Sequence, residues 1–231
     1  MWSLSDSELE ALWLSLKVSL WGVGASLPIG IAIAALFARR SFPGKGLIEG
    51  IVYLPLVLPP VVTGYALLLL LGRRGPLGGW LYDVLGVTLV FRWTGAAVAS
   101  AVMGFPLLVR AVRLSFEAID RRLERAARTL GAGPVRVFLS ITLPLALPGI
   151  LAGTMLSFGR SLGEFGATIT FVSNIPGETR TLPLAIYSYT QIPGGDESAL
   201  RLVVISVALS LLTLVLSEYI SRRAARRAQG M

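Results

Sequence analysis

Five stretches of the chain are apolar on every face. Val18–Ala38, Gly50–Gly72 and Val137–Gly159 carry no charge. Trp93–Val109 is also uncharged but shorter, and Leu202–Ser217 is shorter again, continuing through Glu218 to Ile220. A helix needs about 20 mostly apolar residues to cross a bilayer core. The pattern therefore predicts five membrane-spanning helices over 11–38, 47–71, 93–114, 137–160 and 200–220 within one transmembrane domain, 1–231. The stretch 165–195 reads differently. It is apolar at Phe165–Val172 and Leu182–Tyr189 but interrupted by Pro176, Pro183 and the turn Pro193-Gly194-Gly195. A re-entrant or outer-side segment fits it better than a sixth span.

Composition agrees with an all-α membrane bundle. Of the 231 residues 54% are hydrophobic and 15% charged, against about 25% charged in soluble domains. With no His and no Cys, the chain offers no disulfide framework, no zinc, haem or iron–sulfur ligand set and no His- or Cys-based triad. No catalytic or metal site is expected. Met1–Glu10 is acidic, and no small-residue cleavage site follows the first apolar run, so it does not read as a cleavable signal peptide.

The net charge of +8 is explained by where the cations sit. With five spans, the first loop, the third loop and the C-terminal tail share one side. That side holds 14 of the 21 Lys and Arg residues, from Arg39, Arg40 and Lys45 through the arginines of 110–136 to Arg222, Arg223, Arg226 and Arg227. The other side holds six, with most of the acids. Lys/Arg bias marks the cytoplasmic face. The N-terminus is therefore expected outside and the C-terminus in the cytoplasm of a multi-pass inner-membrane protein. No basic face with interleaved aromatics suggests nucleic acid. Lys17 is expected to snorkel to the outer interface, and Glu49 and Glu218 to be interfacial.

The loop 116–136 is the most informative segment. Asp120 is a good N-cap. Leu123, Ala126, Ala127 and Leu130 form one apolar face, with Arg121, Arg122, Glu124, Arg125 and Arg128 around the rest. Gly131 occupies a C′ position and Pro134 can open the next helix. About ten residues make a marginal isolated helix, so its face must pack on something. An interfacial helix would want more Trp, Phe or Leu. A small face, half alanine, favours docking to a cytoplasmic protein.

Here the sequence resembles a family. Permease subunits of bacterial ABC importers carry Glu-Ala-Ala, three residues, Gly, nine residues, then Ile-x-Leu-Pro. This chain has Ala126-Ala127, Gly131 and Ile141-Thr142-Leu143-Pro144 at that spacing. Arg125 stands at the Glu position and Glu124 one residue earlier, which leaves open which carboxylate contacts the ATPase. Ser41–Lys45, Leu54–Val62, Ala127–Gly133 and Ser161–Pro183 further resemble the molybdate permeases of the molybdate/sulfate/tungstate group. The resemblance implies a type I ABC importer permease fold with 116–136 holding the coupling helix. It also implies a homodimer, two copies of a cytoplasmic ATP-binding subunit, and an extracytoplasmic oxyanion-binding protein. No GxxxxGK[ST] loop is present, Pro43-Gly44-Lys45-Gly46 being the nearest approach. ATP and Mg are therefore expected on the partner, with no cofactor on this chain, which is not an enzyme.

Two groups are candidates for the translocation path. Pro55, Pro59 and Pro60 predict a bent helix. Arg160, Ser161, Glu164, Thr168, Ser173 and Asn174 belong to the most polar stretch adjoining a span. A dianion in a dry passage needs donors or a cation, which Arg160 and the hydroxyls supply. Glu164 would repel it and is expected to pair with a base or face a gate wall. A sulfate or tungstate permease, or a self-contained secondary transporter or channel, remains the alternative. The absence of an intramembrane acid pair counts against the last.

Overall fold

The computed structural model describes residues 4–229, and of the side chains beyond Ile220 only that of Arg223. The remaining tail arginines, Arg222, Arg226 and Arg227, lie outside the described side chains. Among the described residues the fold is helical throughout.

The apolar runs become helices α1 (Asp6–Arg39), α5 (Trp93–Ala118) and α11 (Asp196–Gln229), and the continuous rod Pro134–Leu162. That rod is α7 (Pro134–Val137), a π turn at Phe138–Thr142, and α8 (Leu143–Leu162). The π turn has a cause. Pro144 has no N–H to offer and its ring crowds the carbonyl four residues back. Widening the preceding turn, with Leu143 N–H reaching Phe138 O, lets the helix pass the proline without breaking.

α5 is the central helix. α1 and α8 pack along it, and α11 packs outside α8. Ala96, Ala99, Leu108, Val109, Val112 and Phe116 of α5 are fully buried. Small residues set the approach distance, as expected in lipid. A Cβ on Gly22 would lie 2.8 Å from Ala97 O, and one on Gly153 3.0 Å from the Ala111 side chain. The Gly149–Gly153 face is thus spent on packing within the chain.

The run predicted as one span over 47–71 is two helices, α2 (Lys45–Val57) and α3 (Pro60–Leu71), bent by 119°. Pro59 caps α3 and Pro60 is its first residue, so neither donates the bond that would continue α2. Glu49 of α2 pairs with Arg113 at the end of α5, while Leu67 of α3 packs in the cluster that includes Trp93 at the start of α5. The broken pair still carries the chain from one end of α5 to the other.

One element was not predicted, α4 (Pro76–Leu85), opened by Pro76 and closed by Gly86 at φ +65. The 165–195 segment resolves into α9 (Gly166–Val172) and α10 (Leu182–Thr190). The last helix, α6 (Arg121–Thr129), is the short loop helix, nine residues long.

Candidate functional site

α6 is built by its ends. Asp120 Oδ1 accepts from Arg122 N at 2.8 Å, the expected cap. At the other end Gly131 N donates to Arg128 O at 3.0 Å and Ala132 N to Ala127 O at 3.1 Å, with Gly131 at φ +85. This is a Schellman motif, and its left-handed C′ residue is glycine because other L-residues are strained there. The apolar face is left open. Leu130 is 88% exposed, Leu123 49%, and Ala126 exposed, with Ala127 half-buried.

Glu124 has a different environment from its neighbours. Its Oε1 accepts from Arg39 Nη2 and from Thr142 Oγ1, both at 2.7 Å. One carboxylate therefore ties α6 to the end of α1 and to the π turn that leads into α8. Arg121 adds a bond to Ala38 O at 3.3 Å. Of the carboxylates near the Glu-Ala-Ala position, the one present is turned into the protein. Arg125 is exposed on α6. Ile141 and Leu143 are half-buried against the bundle and Pro144 is exposed at the start of α8.

The predicted path residues fall into separate places. Around the break in α2–α3, Gly64 and Gly166 let α3 and α9 touch. A Cβ on Gly64 would sit 2.6 Å from Ala167 O, and one on Gly166 2.8 Å from Pro60 Cβ. Glu164, 2% exposed, holds this joint: Oε1 accepts from Ala167 N at 2.7 Å and Oε2 lies 2.6 Å from Arg160 Nη1. The expected basic partner of Glu164 is Arg160. Ser161 Oγ donates to Ser100 O at 3.2 Å, locking α8 to α5, and Thr168 is buried inside α9. Arg160 keeps the rest of its guanidinium free of protein partners among the described residues, on a side chain 28% exposed.

Ser173 and Asn174 are not part of that joint. Ser173, at φ +65, ends α9; Thr179 Oγ1 donates to Ser173 O at 3.1 Å. Asn174 Nδ2 donates to Ser188 Oγ at 2.8 Å and Arg180 Nε to Asn174 Oδ1 at 3.0 Å. These bonds shape the turn between α9 and α10. Pro55 lines an apolar cleft of about 390 Å³ between α1, α2 and α5, away from the polar joint.

Several polar contacts could not be foreseen. Buried Glu8 closes a capping box with Ser5 and also pairs with Arg201 Nη2 of α11 at 2.8 Å. Lys17 does more than snorkel: its Nζ lies 3.8 Å from the Trp93 ring centroid, a cation–π contact. Glu49 bridges Arg113 at 2.9 Å and Lys45 at 3.6 Å. Among the described residues no three His, Cys, Asp or Glu side chains gather to hold a metal.

Known proteins resemble this chain in sequence and in fold. Residues 26–226 match the family described as binding-protein-dependent transport system inner membrane component. The molybdenum transport system permease protein ModB of Escherichia coli (strain K12) is 59% identical over 225 residues, covering 97% of this chain and 98% of that protein. ModB of Haemophilus influenzae is 57% identical over 216 residues, 94% of each chain. The sulfate transport system permease protein CysW of Synechococcus elongatus is 36% identical over 231 residues, 98% of this chain and 79% of that one. In three dimensions, a bacterial ABC transporter involved in alginate import superposes with a TM-score of 0.74 at 19% identity, covering 95% of this chain and 80% of that one. The MetNI methionine ABC transporter superposes at 0.69 and 18% identity, covering 96% and 99%. At such identities the likeness speaks for the fold, that of type I ABC importer permeases. The chain belongs to the binding-protein-dependent transport system inner membrane component family, multi-pass permeases of ABC importers.

Proposed function

We propose that this chain forms the membrane path of an ATP-driven molybdate importer. The observation that carries the reading is 59% identity along 97% of the chain to a relative named as a molybdenum transport permease. α6 is the coupling helix, and its open face of Leu123, Ala126, Ala127 and Leu130 seats on a separate ATP-binding subunit. The lack of a phosphate loop in the sequence supports hydrolysis of ATP–Mg on that subunit. Two copies of the ATPase serve a homodimer of this chain, whose shared two-fold axis encloses the path. An extracytoplasmic oxyanion-binding protein delivers the substrate on the side of the N-terminus, and the C-terminus lies in the cytoplasm.

Movement of α6 passes to the spans along two routes. One runs through the Glu124–Arg39 pair into α1. The other runs through α7 and the Thr142 bond into α8. Arg160 lies in the last turn of α8 and Glu164 just beyond its end, next to the α3–α9 joint, where Pro59, Pro60 and Thr168 lie. The free edge of the Arg160 guanidinium is the cation a tetrahedral dianion would meet there.

The 36% identical sulfate permease keeps one alternative substrate specific. Both readings are tested together in proteoliposomes holding the permease, its ATPase and its binding protein. Labelled molybdate is expected to enter only with ATP, and excess sulfate is expected to leave uptake unchanged. Sulfate competing on equal terms would assign the chain to sulfate. Uptake by the permease alone, without ATP, would make it a secondary transporter or channel.

A further inference from the structure

An arginine cleft of about 490 Å³ lies between the end of α1 and one flank of α6. Arg39, Arg40, Arg121, Arg125 and Arg128 line it, with Glu124 as its one acid. Glu124 is already held by Arg39, and Arg121 donates one bond to the neutral Ala38 O, which leaves its charge in place. Arg40, Arg125 and Arg128 have no ion-pair or side-chain hydrogen-bond partner among the described residues. With Arg121 counted, four guanidiniums without a counter-charge surround one concave space, and an anion with several oxygens between them would relieve their repulsion.

Helix geometry separates this cleft from the apolar docking face. At about 100° per residue, Leu123, Ala126 and Leu130 share one flank of α6, while Arg121, Arg125 and Arg128 share the opposite one. The proposed docking face and the cleft therefore lie on different flanks of α6. The cleft also continues a strip of α1. Ile29, Ala32, Leu36 and Arg40 follow one another at three- or four-residue spacing, and all four are exposed, Ile29 at 57% and Leu36 at 44%. An apolar strip running along a membrane span and ending at a cationic cleft has the shape of a phospholipid: chains along Ile29–Leu36, phosphate at the arginines.

We infer that this cleft binds the phosphate headgroup of an anionic phospholipid from the cytoplasmic leaflet. Basic pockets beside spans on that face hold such headgroups. The headgroup phosphate offsets part of the charge of the free arginines and fixes the depth of α6 beneath the bilayer. The leaflet rests on the orientation proposed above; the site does not.

The test uses the permease–ATPase complex in nanodiscs of phosphatidylcholine with added phosphatidylglycerol. Native mass spectrometry reads the lipid each complex retains. The wild-type complex is expected to enrich phosphatidylglycerol over phosphatidylcholine by roughly tenfold or more, given several cations at the site. The triple variant Arg40→Gln, Arg125→Gln, Arg128→Gln is expected to lose that enrichment. Arg40→Gln alone, in the cap that ends α1 and outside the docking helix, lowers it severalfold with the ATPase still bound, and stands in should the triple variant fail to assemble. Equal retention of the two lipids by the wild type, or undiminished enrichment in the variants, overturns the proposal. Loss of the ATPase with lipid retention unchanged assigns the arginines to that protein instead. Lipid enrichment together with external labelling of a Ser41→Cys variant would keep the site and overturn only the leaflet.

Discussion

Gly131 and Glu124 act at two ends of one short helix and by different physics. A Cβ at Gly131 would meet nothing within 4 Å, so space is not the constraint there. Its φ of +85 is. A β-branched residue in that conformation costs about 1–2 kcal/mol, enough to unwind the last turn of a helix that is marginal alone. Gly131→Val is expected to weaken ATPase co-purification while the chain still inserts, and Gly131→Asn, which tolerates the left-handed region, to be milder. Unchanged ATPase binding and transport in the valine variant would sink the docking role of α6. Glu124 acts by connection. Its replacement by Gln removes the charge from a contact that holds two donors at 2.7 Å, a local loss of about 1.5–3 kcal/mol. Glu124→Gln is expected to keep the ATPase bound and hydrolysing but to lower molybdate moved per ATP. Measuring uptake and hydrolysis in the same vesicles gives that ratio; an unchanged ratio would show that motion does not travel through this carboxylate.

The α3–α9 joint depends on one missing side chain. A Cβ on Gly64 would lie 2.6 Å from Ala167 O, and backbone cannot yield as a flexible side chain can. Gly64→Val is expected to strain the joint by about 1–3 kcal/mol. Uptake should fall severalfold, while α6, far along the chain, still binds the ATPase; normal uptake would show that the joint does not gate the path. This joint also marks how far the sequence could be read. The long spans were readable because an apolar run of about 20 residues needs no tertiary partner to become a helix. The proline cluster announced a bend near Pro59, but not its 119°, which packing against α9 settles. α4 went unread although Leu77, Trp80, Leu81 and Val84 repeat at helical spacing, because Gly78 and Gly79 within it weaken the helix signal. At the site, capping residues announced α6, since Asp120 and Gly131 act on their own neighbours. The inward turn of Glu124 was not readable: its partner Arg39 is 85 residues away. The same holds for Glu8 and Arg201, 193 residues apart.

The helices sort the chain's charge into two ends of one bundle. The end that carries α6 gathers Arg39, Arg40, Lys45, Arg113, Arg121, Arg122, Arg125, Arg128 and Arg136. The end with the start of α1 and α11 gathers Glu8, Glu197 and Asp196, and Glu178 reaches the first residue of α5 there, accepting from Trp93 N at 3.3 Å. With the broken pair α2–α3 counted as one crossing, five crossings place the two termini on opposite sides. Only one of the two orientations puts the arginine-rich end in the cytoplasm, where Lys/Arg bias belongs and where an ATPase can reach Leu130. The absence of cysteine makes this directly measurable, because any introduced thiol is unique. Ser41, in the exposed turn between α1 and α2, reports the α6 end; Glu197, 93% exposed, reports the other. With a membrane-impermeant maleimide on intact spheroplasts, Glu197→Cys is expected to label at once and Ser41→Cys only after permeabilisation. The reverse pattern would place α6 outside, out of reach of any cytoplasmic ATPase, and would overturn the coupling mechanism and the orientation together.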